Sequence, residues 1–177
     1  MISKAPASSS RRRYGYTTGI VLSLLLCPQA FSEPVSGALS TNEISAHRVV
    51  SGRFSDVYEA LEFALADRGL TISHVSHIDK MLQRTAAAVG AEKPLYLAAR
   101  SVAFCSAGLS RDMMEADIHH IIFCPYNILI YETAANPGQV HLAYRLLQAP
   151  GATPKSRQAL AAIEALLSDI LSATVEF

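Results

Sequence analysis

The chain has 177 residues, of which 50% are hydrophobic, and it carries 15 basic and 15 acidic side chains. This length is typical of one domain, and the hydrophobic content excludes an intrinsically disordered chain. It contains no uninterrupted apolar run of the roughly 18 residues that a conventional transmembrane helix needs.

The N-terminus has the three zones of a secretory signal peptide. Residues 1–18 carry four basic residues and no acid, and residues 19–27 form a short apolar run. Ala30 and Ser32 place small side chains at positions −3 and −1 of a cleavage site before Glu33. We therefore expect residues 1–32 to be removed and the protein to be periplasmic or secreted. The sequence leaves open whether the general or the twin-arginine route exports it.

Cleavage would change the charge of the chain. Eleven basic and 15 acidic residues would remain, which gives a formal net charge of −4. Such a balance argues against a nucleic-acid partner, which requires a basic surface. No stable membrane span is expected after cleavage. Two cysteines, Cys105 and Cys124, would remain in a compartment that permits disulfides.

Hydrophobic periodicity predicts the elements that follow the signal. Residues 33–44 are expected to form a flexible tether, residues 45–147 an α+β domain, and residues 148–177 a linker and an amphipathic helix packed on that domain. Ser55 is the expected N-cap of the first helix. The predicted elements are a strand at 47–50, helix 55–68, strand 70–78, helix 80–89, a strand within 95–105, helix 106–116, strand 127–133, strand 140–146 and helix 156–173.

The resulting order, β-α-β-α-β-α-β-β-α, favours a two-layer α+β sandwich. One mixed or antiparallel sheet would have its helices on one face. The strands at 127–133 and 140–146 are joined by Asn136-Pro137-Gly138 and are expected to form an antiparallel hairpin.

Several short segments resemble a known family. They are Phe54-Ser55-Asp56, the helix end Asp67-Arg68-Gly69-Leu70, Phe104-Cys105-Ser106, Asp117, Phe123 through Ile128, and Tyr131-Glu132. Together they are similar to the bacterial and archaeal family called domain of unknown function 302, over roughly residues 45–147. The resemblance implies a small α+β fold that tends to form homodimers, and it implies no established reaction.

Cys105 and Cys124 admit three interpretations: a disulfide, a thiol site that is redox-active or binds metal or haem, and two small hydrophobic core residues. A simple βαβ crossover would place them at opposite ends of the sheet, about 17 Å apart, whereas a disulfide requires Cα atoms within about 7 Å. Cys105 lies near the N-terminus of a predicted helix, which is expected to lower its pKa.

Histidines supply the other candidate ligands. His119 and His120 are expected on a loop, where they could join Cys105 and Cys124 in a metal site. His74 is expected on the same strand face as Ile72 and buried there. None of these residues has a recognised metal or haem spacing, so the cofactor remains unknown, with metal or haem as candidates.

The sequence contains no catalytic motif, so we expect a non-enzymatic exported binding or accessory domain that forms a homodimer. Its small-molecule or protein partner is not specified. The alternative is a periplasmic redox or metal- or haem-binding protein that uses Cys105 with Cys124, His119 or His120. A third hypothesis is a small hydrolase with a pocket lined by His74 and Tyr126.

Overall fold

The computed structural model describes residues 39–176, so the expected signal peptide and its cleavage site between Ser32 and Glu33 lie outside the described residues. Within them the predicted order of strands and helices is confirmed. The elements are β1 (Ser40–Thr41), β2 (Ser45–Ser51), α1 (Phe54–Asp67), β3 (Ile72–His77), α2 (Ile78–Thr85), a 3₁₀ turn (Ala87–Val89), β4 (Tyr96–Phe104), α3 (Ala107–Ala116), a 3₁₀ turn (Ile118–Phe123), β5 (Tyr126–Thr133), β6 (Gln139–Arg145) and α4 (Pro154–Val175).

The described strands form one six-stranded sheet in the order β1-β2-β6-β5-β4-β3. All its neighbouring strands are antiparallel. The predicted hairpin is confirmed as β5 and β6, with Ile130 opposite Leu142. The predicted α+β class is therefore confirmed, and the sheet is antiparallel throughout.

The core lies between this sheet and α1, α3 and α4. Side chains alternate between the two faces of a strand, and in β5 the alternate residues Tyr126, Ile128 and Ile130 are buried. The helices close the core from the other side with apolar residues one turn apart. The fully buried residues of this layer include Leu61, Leu65, Met113, Ile163, Leu167, Ile170 and Leu171.

Helix α4 is long and apolar enough to cross a membrane when judged by length and composition alone. A core helix passes the same test, and the apolar stripe of α4 packs into the hydrophobic core. Its N-terminus is capped by Thr153, whose hydroxyl accepts a hydrogen bond from the Ser156 N–H at 3.1 Å, and Pro154 occupies the first turn. Within the described residues, α4 therefore packs as a core helix.

The start of α1 differs from the prediction. Ser55 was expected to cap this helix, but the helix begins at Phe54, and the N-cap residue Arg53 makes no capping bond through its side chain. Instead, the Arg53 guanidinium donates to the Asp56 carboxylate at 2.8 Å. This exposed pair replaces the expected serine cap as the local interaction at the helix start.

A β-bulge in β3 overturns the expected position of His74. Ile72 pairs with Phe104, but the register then shifts, and His74 pairs with Ala103. Cross-strand partners share a face, so His74 lies on the face opposite Ile72, where it is exposed. The hydrolase pocket of His74 and Tyr126 is not formed, because Tyr126 is buried on the helix side of the sheet.

Candidate dithiol site

The antiparallel pairing of β4 and β5 brings the two cysteines together. Phe104, the last residue of β4, lies opposite Tyr126, the first residue of β5. Cys105 follows the first strand and Cys124 precedes the second, and their Sγ atoms are 3.0 Å apart. The expected separation of about 17 Å was wrong, because it assumed a parallel crossover. Helix α3 and the 3₁₀ turn instead return the chain to the same end of the sheet.

Backbone hydrogen bonds fix Cys124 between the turn and the strand. Its N–H donates to the carbonyl of Ile121 at 3.0 Å. On the other side, the Asn127 side-chain amide donates to the carbonyl of Pro125 at 2.9 Å. The Cys124–Pro125 peptide bond is cis. The local sequence thus holds this sulfur in a defined place against Cys105.

The two thiols differ in exposure and in partners. Cys105 is exposed, whereas Cys124 is partly buried, and both are free thiols in this structure. The Ser110 hydroxyl of α3 lies 3.6 Å from the Cys124 sulfur and 2.8 Å from the Tyr126 hydroxyl. The solvent-accessible Cys105 thiol therefore contacts the Cys124 thiol, which in turn lies beside the buried Ser110 and Tyr126 hydroxyl groups.

Sequence reasoning missed Ser110 and considered Tyr126 only as part of a hydrolase pocket with His74. A lone serine in a helix carries no signal of its own. Its importance follows only from the packing of α3 against the start of β5, which places Ser110 between Cys124 and Tyr126. No spacing in the sequence encodes that contact.

The pKa of Cys105 is raised to about 11, chiefly because its thiol is partly desolvated. The adjacent Cys124 sulfur raises it further, whereas the Tyr126 N–H and the Ser110 hydroxyl act in the opposite direction. The expectation that a helix N-terminus lowers this pKa was wrong. Desolvation, and after it the adjacent Cys124 sulfur, disfavours the Cys105 thiolate. Burial similarly raises the pKa of Tyr126.

The structure does not bring His119 and His120 to the cysteine pair. His119 is exposed, and its N–H donates to the Asp117 carboxylate at 2.9 Å. His120 is only 5% exposed, its Nε2 lies 3.9 Å from Asp117, and its Nδ1 has no hydrogen-bond partner. Within residues 39–176 no three His, Cys, Asp or Glu side chains group closely enough to hold a metal ion. Of the four expected ligands, Cys105 and Cys124 are thus in contact with each other, whereas His119 and His120 each lie near Asp117.

A groove of about 560 Å³ lies at the same end of the sheet. The residues on either side of Cys124 in the chain, Phe123 and Pro125, both line it. Its walls are largely apolar, and its polar side chains are Ser101, Asn127 and Arg145 together with Tyr126. The volume is within the range of small-ligand sites. The residues on either side of Cys124 therefore border a concave surface.

Comparisons with known proteins identify the fold and name no activity. A family model described as "Domain of unknown function DUF302" matches residues 46–174. The solved structure of an uncharacterized conserved DUF302 protein from Bacillus stearothermophilus is similar, with a TM-score of 0.63 and 16% sequence identity. The similarity covers 75% of this chain and 98% of the other. No curated protein matches the chain.

Proposed function

This chain belongs to the DUF302 family, and we propose that it is a thiol redox protein whose active groups are Cys105 and Cys124. The observation that carries the proposal is the 3.0 Å separation of two sulfurs, one of them exposed, that lie 19 positions apart in the chain. The family description supplies no activity, so the argument rests on this site alone.

The chemistry of such a pair is thiol–disulfide exchange with a partner disulfide. The accessible Cys105 thiol, which is protonated near neutral pH, first loses its proton to solvent. The thiolate then attacks one sulfur of the partner disulfide and releases the other as a thiolate. Cys124 then attacks the Cys105 sulfur of the mixed disulfide, which closes the Cys105–Cys124 bond and releases the second partner thiol. The two cysteines lose two electrons and two protons, and the partner disulfide gains them.

Exposure favours this function over packing. Structural cysteines that act as small hydrophobic residues are buried and inert, whereas Cys105 is exposed. The adjacent sulfur supplies the resolving group that redox-active cysteines commonly have. The buried Ser110 hydroxyl, 3.6 Å away, can hydrogen-bond the Cys124 sulfur when it becomes the leaving thiolate.

The redox function is tested by titration of the protein with defined ratios of reduced and oxidised dithiothreitol or glutathione. Acid quenching, maleimide labelling and mass spectrometry then count the free thiols. We expect both thiols to disappear together, with a midpoint between about −270 and −120 mV, the range of known thiol oxidoreductases. Cys105→Ser and Cys124→Ser are the matched controls, because neither can form the internal disulfide.

Two results would contradict the proposal. Thiols that stay free at every ratio would leave the cysteines as packing residues. A midpoint below about −300 mV would indicate a structural disulfide that the glutathione pool does not reduce.

We also propose that the protein works outside the cytoplasm, in a compartment where disulfides form. The support is the basic, apolar and small-residue pattern of residues 1–32. N-terminal sequencing of the protein from an extracytoplasmic fraction is expected to begin at Glu33. A sequence that begins at Met1 in that fraction would contradict cleavage.

A further inference from the structure

The 3₁₀ turn Ile118–Phe123, which leads directly into Cys124, presents an unusual apolar surface. Ile118, Ile121 and Ile122 are between 58% and 79% exposed. Exposed large aliphatic side chains that occur together commonly mark an interaction site. Ile122 also lines the groove beside Cys124, so this apolar surface and the groove are continuous.

The lining of the groove also includes a positively charged side chain. Arg145 is exposed at the end of β6, and among residues 39–176 it is the only charged residue that lines the groove. Among residues 39–176 no carboxylate lies within salt-bridge distance of Arg145. An occupant that combines an apolar group with an acidic group would therefore complement this site.

The groove also contains hydrogen-bonding groups. Ser101 donates to the Asn127 side-chain oxygen at 3.1 Å, and both residues line the groove. The volume of about 560 Å³ is large enough for a few residues of an extended chain. A protein segment matches this combination better than a small charged thiol does, because most of the groove wall is apolar.

We propose that this groove binds an extended segment of a client protein, one that carries a cysteine flanked by an apolar and an acidic side chain. The apolar side chain packs against Ile122, and the acidic side chain pairs with Arg145. The bound segment presents its disulfide to Cys105. This inference rests on the proposed redox function and names the substrate class of the same site.

The test compares two synthetic peptides, each with one cysteine joined in a mixed disulfide to 2-mercaptoethanol. One peptide has leucine and glutamate beside the cysteine, and the other has serine and glutamine in the same places. The reduced full-length protein is mixed with each peptide, and the released thiols are separated by chromatography. We expect the leucine–glutamate peptide to react about tenfold faster, which corresponds to partial burial of one aliphatic side chain and one ion pair.

Ile122→Ser and Arg145→Gln should each remove most of this preference. Both changes are at exposed positions, so neither is expected to unfold the protein. Val89→Ser and Arg84→Gln are the matched controls. Val89 is 74% exposed and Arg84 is exposed, and neither lines this groove. The neutral probe 2-hydroxyethyl disulfide should react equally with all four variants.

The outcomes separate the two proposals. If 2-hydroxyethyl disulfide does not oxidise the cysteine pair, the redox function fails and the client site fails with it. If it does, but the two peptides react at equal rates, the client site alone is overturned. Equal losses in the control variants would also overturn it. Light scattering could instead show that the protein is a dimer and that Ile122→Ser dissociates it. That result would assign the groove to a second copy of the chain and overturn the client proposal.

Discussion

At the scale of single residues, the reactivity of the site is set by the contact between its two sulfurs. Loss of hydration, together with the Cys124 sulfur 3.0 Å away, raises the pKa of Cys105 to about 11. The Cys105 thiol is therefore protonated near neutral pH. An exposed thiol with this property reacts slowly with general electrophiles, because the thiolate is the nucleophile.

This raised pKa predicts an unusual pH profile for Cys105. Its rate of alkylation by iodoacetamide should rise about tenfold per pH unit from pH 7 to pH 10, since the thiolate fraction rises at that rate below the pKa. Peptide mapping by mass spectrometry assigns the label to Cys105. In the Cys124→Ser variant the alkylation rate should level off at a lower pH, because the neighbouring sulfur that raises the pKa of Cys105 is gone. A plateau near pH 9 in the unmodified protein would contradict the prediction.

The hydrogen bond between the Ser110 and Tyr126 hydroxyls predicts that substitutions of these two residues have non-additive effects on the free energy of unfolding. Ser110→Ala leaves the Tyr126 hydroxyl without the partner that the structure shows at 2.8 Å, so a cost of about 1–3 kcal/mol is expected. Tyr126→Phe should cost less, because Ser110 keeps its contact with the Cys124 sulfur. Urea denaturation should show that the double variant loses less than the sum of the two single changes. Strict additivity would show that the two hydroxyls do not interact.

At the scale of elements, hydrophobic periodicity was sufficient to place every helix and the main strands. It could not give strand direction, because alternation is the same in parallel and antiparallel strands. That gap explains the wrong distance between Cys105 and Cys124. The β-bulge that places His74 on the opposite face of the sheet could not be predicted from the sequence either, since it depends on how β3 pairs with β4.

Helix caps provide a test at this scale. The Thr153 hydroxyl caps α4, so Thr153→Ala should lower the free energy of unfolding by about 0.5–2 kcal/mol. Ser55→Ala is the matched control, because Ser55 lies inside α1 and is exposed, and it should change stability by no more than about 0.5 kcal/mol. Both values come from urea denaturation of the reduced protein. A larger loss of unfolding free energy from Ser55→Ala would indicate that Ser55 caps α1, as the sequence predicts.

At the scale of the whole molecule, the site is a property of the fold and not of a motif. The sequence supplies two cysteines 19 positions apart, and only the antiparallel return of the chain makes them neighbours. The groove depends on still more distant segments, since β4, β5, β6, the linker after β6 and α4 all contribute to its lining. No local pattern could have located it.

Closure of the Cys105–Cys124 bond should stabilise the whole domain. A cross-link over a loop of this length lowers the entropy of the unfolded chain, which predicts a gain of about 3 kcal/mol for the oxidised protein over the reduced one. Parallel urea denaturation curves of the two forms measure this difference. The free energy of unfolding of the Cys105→Ser variant should not change when the oxidant is added, because this variant cannot form the bond. An oxidised form of equal or lower stability would show that closing the bond strains the native site.

The position of α4 has a consequence for the nascent chain. This helix is the last described element, yet it supplies Ile163, Leu167, Ile170 and Leu171 to the core. While residues 154–175 are still being synthesised, the inner face of the sheet has no α4 to cover it, and the domain cannot complete its fold. Folding of the domain is thus delayed until residues 154–175 have been synthesised.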